Sequence, residues 1–135
     1  MRVIIFMMLL SMSLIVTEDI DGTFRWEQIN LPAVETAEEH ARMAFEYFFR
    51  YGKYGVPQGV EVLSIEMADG LLTVDVSEDI LGYGGSAFER ALVAQLKQIA
   101  SDIPGADSLT LLIEGEEGLL VQGTAIYRAG LNKGT

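Results

Sequence analysis

Few side chains in this sequence are of the types that carry out covalent or metal chemistry. Cysteine is absent, and His40 is the one histidine. Hydrolytic and acyl-transfer sites usually take their base or metal ligand from histidine or cysteine, and a zinc site needs three protein ligands or more. No HExxH pattern surrounds His40. We therefore expect His40 at the surface or rim of the fold, with no catalytic residue, no bound metal and no cofactor.

Carboxylates are the abundant reactive groups, and they concentrate at the predicted ends of two strands. Asp75, Glu78 and Asp79 form one group, and the run 114–117 contains three glutamates. A carboxylate pair is what a glycoside hydrolase uses, so an accessory domain that binds or hydrolyses cell-wall glycan is the alternative function. Charges at strand ends are usually solvated and discourage edge pairing, which favours turns and edges here.

A glycine-rich loop, Gly82–Ser86, precedes a predicted helix. Free amides at such a position can hold an anion, but the loop lacks the G-x-x-x-x-G-K-[ST] spacing of a phosphate loop. We interpret it as a connector that ends in an N-cap. Tyr83 in this loop joins Asp75, Glu78 and Asp79 as candidate residues of an interaction surface.

The charge balance limits the partners that the chain can bind. Nine basic and twenty acidic residues give a net charge of −11. A protein this acidic does not attract nucleic acid or anionic lipid heads through general electrostatics. The predicted partners are other envelope proteins or further copies of the chain, with no nucleic acid.

The first sixteen residues have the proportions of an export signal. Arg2 precedes the apolar run Val3–Val16, and the polar segment Thr17–Gly22 follows it. The apolar region of a secretory signal is about 7 to 15 residues long, and the charges favour an N-terminus inside and a domain outside the membrane. We predict that the chain acts outside the cytoplasm and that residues 1–22 are a signal peptide or N-terminal membrane anchor, separate from the fold.

Two outcomes are open for this segment. No A-x-A cleavage motif follows the run, so the chain is either cut at an imperfect site near Gly22 or retained on the membrane by Val3–Val16. As a helix the run would be about 21 Å long against roughly 30 Å of hydrocarbon, so spanning is marginal. A buried helix of a soluble core is disfavoured because such helices alternate with polar positions.

The first predicted strand and helix follow this segment. Alternation at Thr23–Ile29 indicates a strand. Thr36 and Glu39 have the spacing of a capping box, so a helix begins there and buries its alanines and phenylalanines on one face. Gly52 is placed to end this helix in the left-handed conformation.

A second helix is predicted in the same way. Ser86 and Glu89 form a second capping box, and the apolar stripe includes Leu92 and Leu96. Pro104 requires the helix to end shortly before it, near Asp102.

The remaining strands are indicated by alternation and turn signals. Val60–Met67 and Leu71–Val76 flank Asp69-Gly70, which favours a type I′ hairpin turn. Leu109–Ile113 is a buried strand, and Leu119–Tyr127 is predicted as a return strand.

These elements define an α+β fold. We expect a two-layer sandwich in βαββαβ order, with a mostly antiparallel sheet carrying both helices on one face. The predicted domain covers residues 23–128, and residues 129–135 are predicted to be a flexible tail.

Several short motifs follow one another in the chain, and their order is more specific than any one of them alone. The motifs are a loop ending in Pro57-Gln58-Gly59, the Asp69-Gly70 hairpin, the strand end Val74–Ser77, and the helix exit Ser101–Asp107 ahead of Leu109–Ile113. With these motifs, the stretch Val56–Gly115 resembles the GerMN domain of sporulation and spore germination proteins of the GerM family.

The resemblance implies both a fold and a role. GerMN domains look like the ring-building modules of sporulation and secretion assemblies, sit outside the membrane and offer no catalytic residue to carry over. Asp75 matches the strand-end aspartate of the family and is expected to be a turn or cap residue. The predicted function is a non-enzymatic extracytoplasmic protein-interaction module, a component of or adaptor to an envelope assembly.

Overall fold

Two helices and seven strands make up the part of the chain that the structure describes. The structure is a computed structural model that describes residues 10–132. The strands are β1 (Leu10–Glu18), β2 (Phe24–Leu31), β3 (Val62–Ala68), β4 (Leu71–Val76), β5 (Ser108–Ile113), β6 (Glu116–Glu117) and β7 (Ala129–Gly130). The helices are α1 (Ala37–Tyr51) and α2 (Ser86–Ser101), and a 3-10 turn covers Glu78–Leu81. Within residues 10–132, neither helix combines the length and hydrophobicity needed to cross a bilayer.

The main sheet has the strand order β3-β4-β5-β6, and β7 also pairs with β5. Asp69 and Gly70 have φ values of 51° and 82°, as the predicted type I′ turn between β3 and β4 requires. β4 and β5 run parallel, and α2 makes the crossover between them. The other pairs in the sheet are antiparallel. The predicted α+β class, with two helices and mostly antiparallel strands, is confirmed.

The structure differs from the predicted leader from Leu10 onward. Leu10–Glu18 is a strand that pairs antiparallel with β2 and belongs to the fold. Met12, Leu14 and Ile15 are almost completely buried. Serines separate the apolar residues at the start of the strand, which is the period-two pattern of a half-buried strand. The rest of the predicted leader before Leu10 lies in residues 1–9, outside the described residues.

The two helices begin in different ways. The Thr36 hydroxyl accepts a hydrogen bond from the Glu39 N–H at 3.0 Å, so the first capping prediction is confirmed. The second is wrong, because α2 has Gly85 as its N-cap and no side chain caps it. The α2 glutamate of that predicted capping box is instead buried inside the protein, as described below.

Gly52 ends α1, but not in the predicted left-handed conformation. Its φ is −59° and ψ is 149°, an extended backbone. A Cβ at this position would lie 2.5 Å from Val56 Cγ2 and 2.6 Å from the Phe48 carbonyl oxygen. Close approach of the following loop to the helix is therefore the reason that glycine is needed here.

The C-terminal segment also differs from the prediction. The predicted return strand Leu119–Tyr127 is mostly a loop, in which the Leu120 N–H donates to the Thr124 carbonyl at 2.8 Å. Beyond this loop, β7 pairs with the first residues of β5, and the Leu131 N–H donates to the Asp107 carbonyl at 2.9 Å. The predicted flexible tail is thus held on the sheet at its start, and its last residues, 133–135, lie outside the described part.

The helices contact both sheets. α1 packs against β3, α2 packs against β5, and both helices contact β1. Gln95 of α2 is completely buried, and its Oε1 accepts a hydrogen bond from the Ile15 N–H at 2.8 Å. The hairpin of β1 and β2 is therefore fixed to the helices through its backbone as well as through its apolar side chains.

Two isoleucines test whether β1 belongs to the core. Ile15 is fully buried and Ile20 is fully exposed, although both lie in the predicted leader. We expect Ile15→Ala to lower the free energy of unfolding by about 2–5 kcal/mol, and Ile20→Ala to change it by less than about 0.5 kcal/mol. Urea denaturation of the two variants makes the comparison. Equal stabilities of the two variants would contradict a core role for β1.

Candidate interaction surface

The predicted site residues Asp75, Glu78, Asp79 and Tyr83 lie at or after the carboxyl end of β4, and the acidic run 114–117 follows the carboxyl end of β5. β4 leads into the 3-10 turn and the glycine-rich loop before α2, and β5 leads into the turn that contains Glu114 and Gly115. Because parallel strands end at the same edge of a sheet, these two connections lie side by side. We call the residues 78–85 and 114–122 together the loop surface.

Asp75 acts as the cap that the sequence predicted. Its Oδ1 accepts a hydrogen bond from the Gly115 N–H at 2.9 Å. Glu114 and Gly115 have φ values of 52° and 83°, which form the tight turn between β5 and β6. The Glu114 carboxylate in turn accepts the Glu78 N–H at 2.9 Å. The structure therefore brings Asp75, Glu78 and Glu114 together, and two of these carboxylates hold backbone amides.

The side chains of Asp79 and Tyr83 make different contacts. The Asp79 carboxylate lies beside Gly59, where a Cβ would sit 3.7 Å from its Oδ1. The Tyr83 ring stacks on Phe88 with ring centroids 5.0 Å apart, and its hydroxyl points toward α2. Within residues 10–132, no three acidic or histidine side chains converge as metal ligands.

The most heavily hydrogen-bonded carboxylate belongs to Glu89, which sequence analysis assigned only to a helix cap. Its side chain is 3% exposed. Oε1 accepts from the Tyr83 hydroxyl at 2.6 Å and the Gln122 N–H at 2.7 Å. Oε2 accepts from the Thr124 N–H at 3.3 Å and its hydroxyl at 2.5 Å. This carboxylate therefore fastens both halves of the loop surface to α2.

These contacts change the pKa values of Glu89 and Tyr83. Burial raises the pKa of Glu89, but the hydrogen bonds from Thr124, Tyr83 and the Gln122 amide together bring it below its ordinary value. Burial, together with the hydrogen bond to Glu89, raises the pKa of Tyr83 well above its ordinary value. At neutral pH the pair is thus a carboxylate that accepts and a phenol that donates.

Apolar side chains face solvent on the loop surface. Leu119 is 62% exposed and Val121 is 46% exposed. Leu81 on the neighbouring turn is also exposed, and the Val121 N–H donates to the Tyr83 hydroxyl at 3.3 Å. No lysine or arginine occurs in 75–89 or 108–127, but Arg90 and Lys97 of α2 line a pocket together with Gln122 at the margin of the loop surface.

His40 is not at the surface, contrary to the prediction. It is 3% exposed, and its Nε2 has no hydrogen-bond partner among the described residues. Burial lowers its pKa, so the ring is neutral at pH 7.

The spacing of apolar residues along α2 could have revealed the roles of Glu89 and Gln95, which sequence analysis missed. Glu89 and Gln95 lie three residues from Leu92 on either side, so both polar side chains share the buried face of α2. A polar residue on a buried stripe is normally hydrogen-bonded, which points to a structural partner elsewhere in the chain.

Comparison with known proteins identifies the family. Residues 18–119 match the sequence model of the family described as Germane: Sporulation and spore germination. The chain belongs to this family, which confirms the resemblance to GerMN domains. No curated protein is significantly similar to the chain in sequence.

Solved structures share the fold. The first GerMN domain of the sporulation protein GerM from Bacillus subtilis is 20% identical with a TM-score of 0.71, covering 92% of this chain and 98% of that domain. The tandem GerMN domains of the same protein give 18% identity and a TM-score of 0.64, covering 90% of this chain and 46% of the tandem. A candidate lipoprotein from Clostridium perfringens gives 16% identity and a TM-score of 0.57, covering 83% of this chain and 78% of that one.

Removing the Glu89 charge tests its role. In Glu89→Gln one amide donor must face donors of Thr124 or Tyr83, so we expect a loss of about 2–3 kcal/mol in unfolding free energy at pH 7. Because the folded-state pKa of Glu89 is lowered, its contribution is present above the unfolded carboxyl pKa and is lost as the pH falls through the folded one.

Chemical denaturation at pH 7 and at pH 3 measures this effect. We expect the difference between wild type and Glu89→Gln to shrink at the lower pH. Glu116→Gln, at an exposed site, is the matched control and should leave stability unchanged. An equal loss in both variants, or none in Glu89→Gln, would contradict the assignment.

Proposed function

We propose that this GerMN protein is a non-enzymatic interaction module that acts outside the cytoplasm, as a component of or adaptor to an envelope assembly. The loop surface carries this proposal. Three carboxylates, those of Glu114, Asp75 and Glu89, hold backbone amides of this surface. The apolar side chains of Leu81, Leu119 and Val121 face solvent. A surface built in this way presents apolar groups at fixed positions, which suits a protein partner.

The energetics of the loop surface support the same function. Buried Leu120 and the Glu89 carboxylate hold the loop on both sides of Val121. A loop held in this way loses little conformational entropy on binding, so more of the contact energy appears as affinity. Exposed apolar side chains on a flexible loop would not have this advantage.

Two observations support the proposal that the protein acts outside the cytoplasm, namely its apolar N-terminal sequence and the kinds of protein to which it is structurally similar. One similar structure is a candidate lipoprotein, and others are parts of a sporulation protein. Since Leu10–Glu18 is used as a strand, we place any membrane attachment before Leu10.

The absence of native cysteine permits one experiment on both parts of the proposal. Leu119→Cys and Ile20→Cys each introduce a single thiol at an exposed site, the first on the loop surface and the second away from it. We expect a membrane-impermeant maleimide to label both variants in intact cells. A maleimide–diazirine cross-linker should then join Leu119→Cys, but not Ile20→Cys, to an envelope protein on illumination.

The two results are independent. Labelling only after cell lysis would contradict action outside the cytoplasm. Equal cross-linking from both cysteines, or none from Leu119→Cys, would contradict the loop surface as the binding site.

A further inference from the structure

One edge of the main sheet is unpaired. β3 pairs with β4 on one side, and no other strand among residues 10–132 pairs with it. Ala68 and Leu71 flank a two-residue turn and therefore form a hydrogen-bonded pair. The alternation of an antiparallel ladder then directs the N–H and C=O groups of Ile65 and Met67 away from β4.

A β-bulge between Val62 and Ser64 interrupts this alternation at the start of β3. The Ser77 N–H donates to the Glu61 carbonyl at 2.9 Å, so the backbone of Val62 faces the free edge. The Val62 carbonyl there accepts only a 3.5 Å hydrogen bond from Arg42. Among the described residues, the outward backbone groups of Ile65 and Met67 have no hydrogen-bond partner. Two N–H and C=O pairs at strand spacing match an extended backbone and few other ligands.

A cleft continues this edge. It has a volume of about 830 Å³ and lies between the end of α1 and the start of β3. Its apolar lining consists of Phe49, Val56, Pro57, Val60 and Val62. Val62 belongs both to the cleft and to the edge, so a strand added along β3 would have one end over this lining.

The charges along the edge decide between occupants. Glu61 immediately precedes β3, and Glu66 is exposed within it. Arg42, which reaches the Val62 carbonyl at this edge, is already paired with Glu46. Pairing two copies through this edge would bring these carboxylates together in a chain whose net charge is −11. A partner segment with apolar and neutral or basic residues avoids this repulsion.

We propose that β3 accepts an extended segment of a partner protein as an added strand, with one apolar side chain of that segment in the cleft. The proposal rests on the proposed function and names a contact separate from the loop surface. It gives the partner a definite chemistry, namely a backbone free to form a strand and side chains that alternate between apolar and polar.

Substituting Met67 by proline tests how much the backbone of β3 contributes to binding of the added strand. The Met67 N–H points to the free edge, so Met67→Pro removes an outward donor and leaves the β3–β4 ladder intact. Met67→Val changes the same side chain and keeps the N–H. The probe is a fluorescein-labelled ten-residue peptide of alternating valine and threonine with a lysine at each end, titrated into the full chain.

We expect the probe to bind with a dissociation constant below about 1 mM. Binding should weaken about tenfold in Met67→Pro and less than about twofold in Met67→Val. The amides of Ile65 and Met67 in the wild-type chain should exchange more slowly with probe present. The double variant Leu119→Ser/Val121→Ser, which removes the loop surface, should bind the probe as wild type does.

Several outcomes would overturn the proposal. These are no binding at about 1 mM, equal binding to Met67→Pro and Met67→Val, and unchanged exchange at Ile65 and Met67. Loss of binding in Leu119→Ser/Val121→Ser alone would place the probe on the loop surface. Self-association that Met67→Pro abolishes would make a second copy the occupant. If Met67→Pro does not fold, as judged by circular dichroism, the exchange measurement on the wild-type chain decides.

Discussion

The buried side-chain amide of Gln95 joins the parts of this fold that the sequence separates. Its Oε1 accepts from the Ile15 N–H at 2.8 Å, and its Nε2 donates to the Tyr54 carbonyl at 2.7 Å. β1, α2 and the loop after α1 thus share one fully buried group. Each backbone group would cost about 1–3 kcal/mol if left buried without a partner. Gly55, which follows Tyr54, allows the loop after α1 to approach α2 closely. A Cβ at this position would lie 2.8 Å from Ala91 Cβ.

Local signals predicted a large part of the fold. Thr36 and Glu39 predicted the start of α1, and Asp69-Gly70 predicted the hairpin between β3 and β4. Both features depend on residues that are close together in sequence. β1 was missed because its composition is also that of an export signal, and its pairing with β2 and its contact with α2 depend on residues elsewhere in the chain. The period of two in Leu10–Leu14 was the available clue.

The candidate site depends on contacts between residues that are distant in sequence. Asp75 was expected to be a turn or cap residue from its position at a strand end, but the amide that it holds, the Gly115 N–H, lies forty residues further along the chain. The role of Glu89 depends on Gln122 and Thr124, which are more than thirty residues away along the chain. Once that carboxylate holds their amides, the segment 120–124 turns back on itself and cannot continue as the predicted strand. No local propensity contains that information.

The most direct test of this account is amide hydrogen exchange at Ile15 in the native full chain. The account predicts that this amide exchanges only through global unfolding, because it is buried and bonded to Gln95. It also predicts that Gln95→Leu accelerates exchange at Ile15 far more than at Leu111 of the main sheet, whose N–H donates to the Ile126 carbonyl. Exchange of the Ile15 amide at the rate of an unstructured chain would contradict the account.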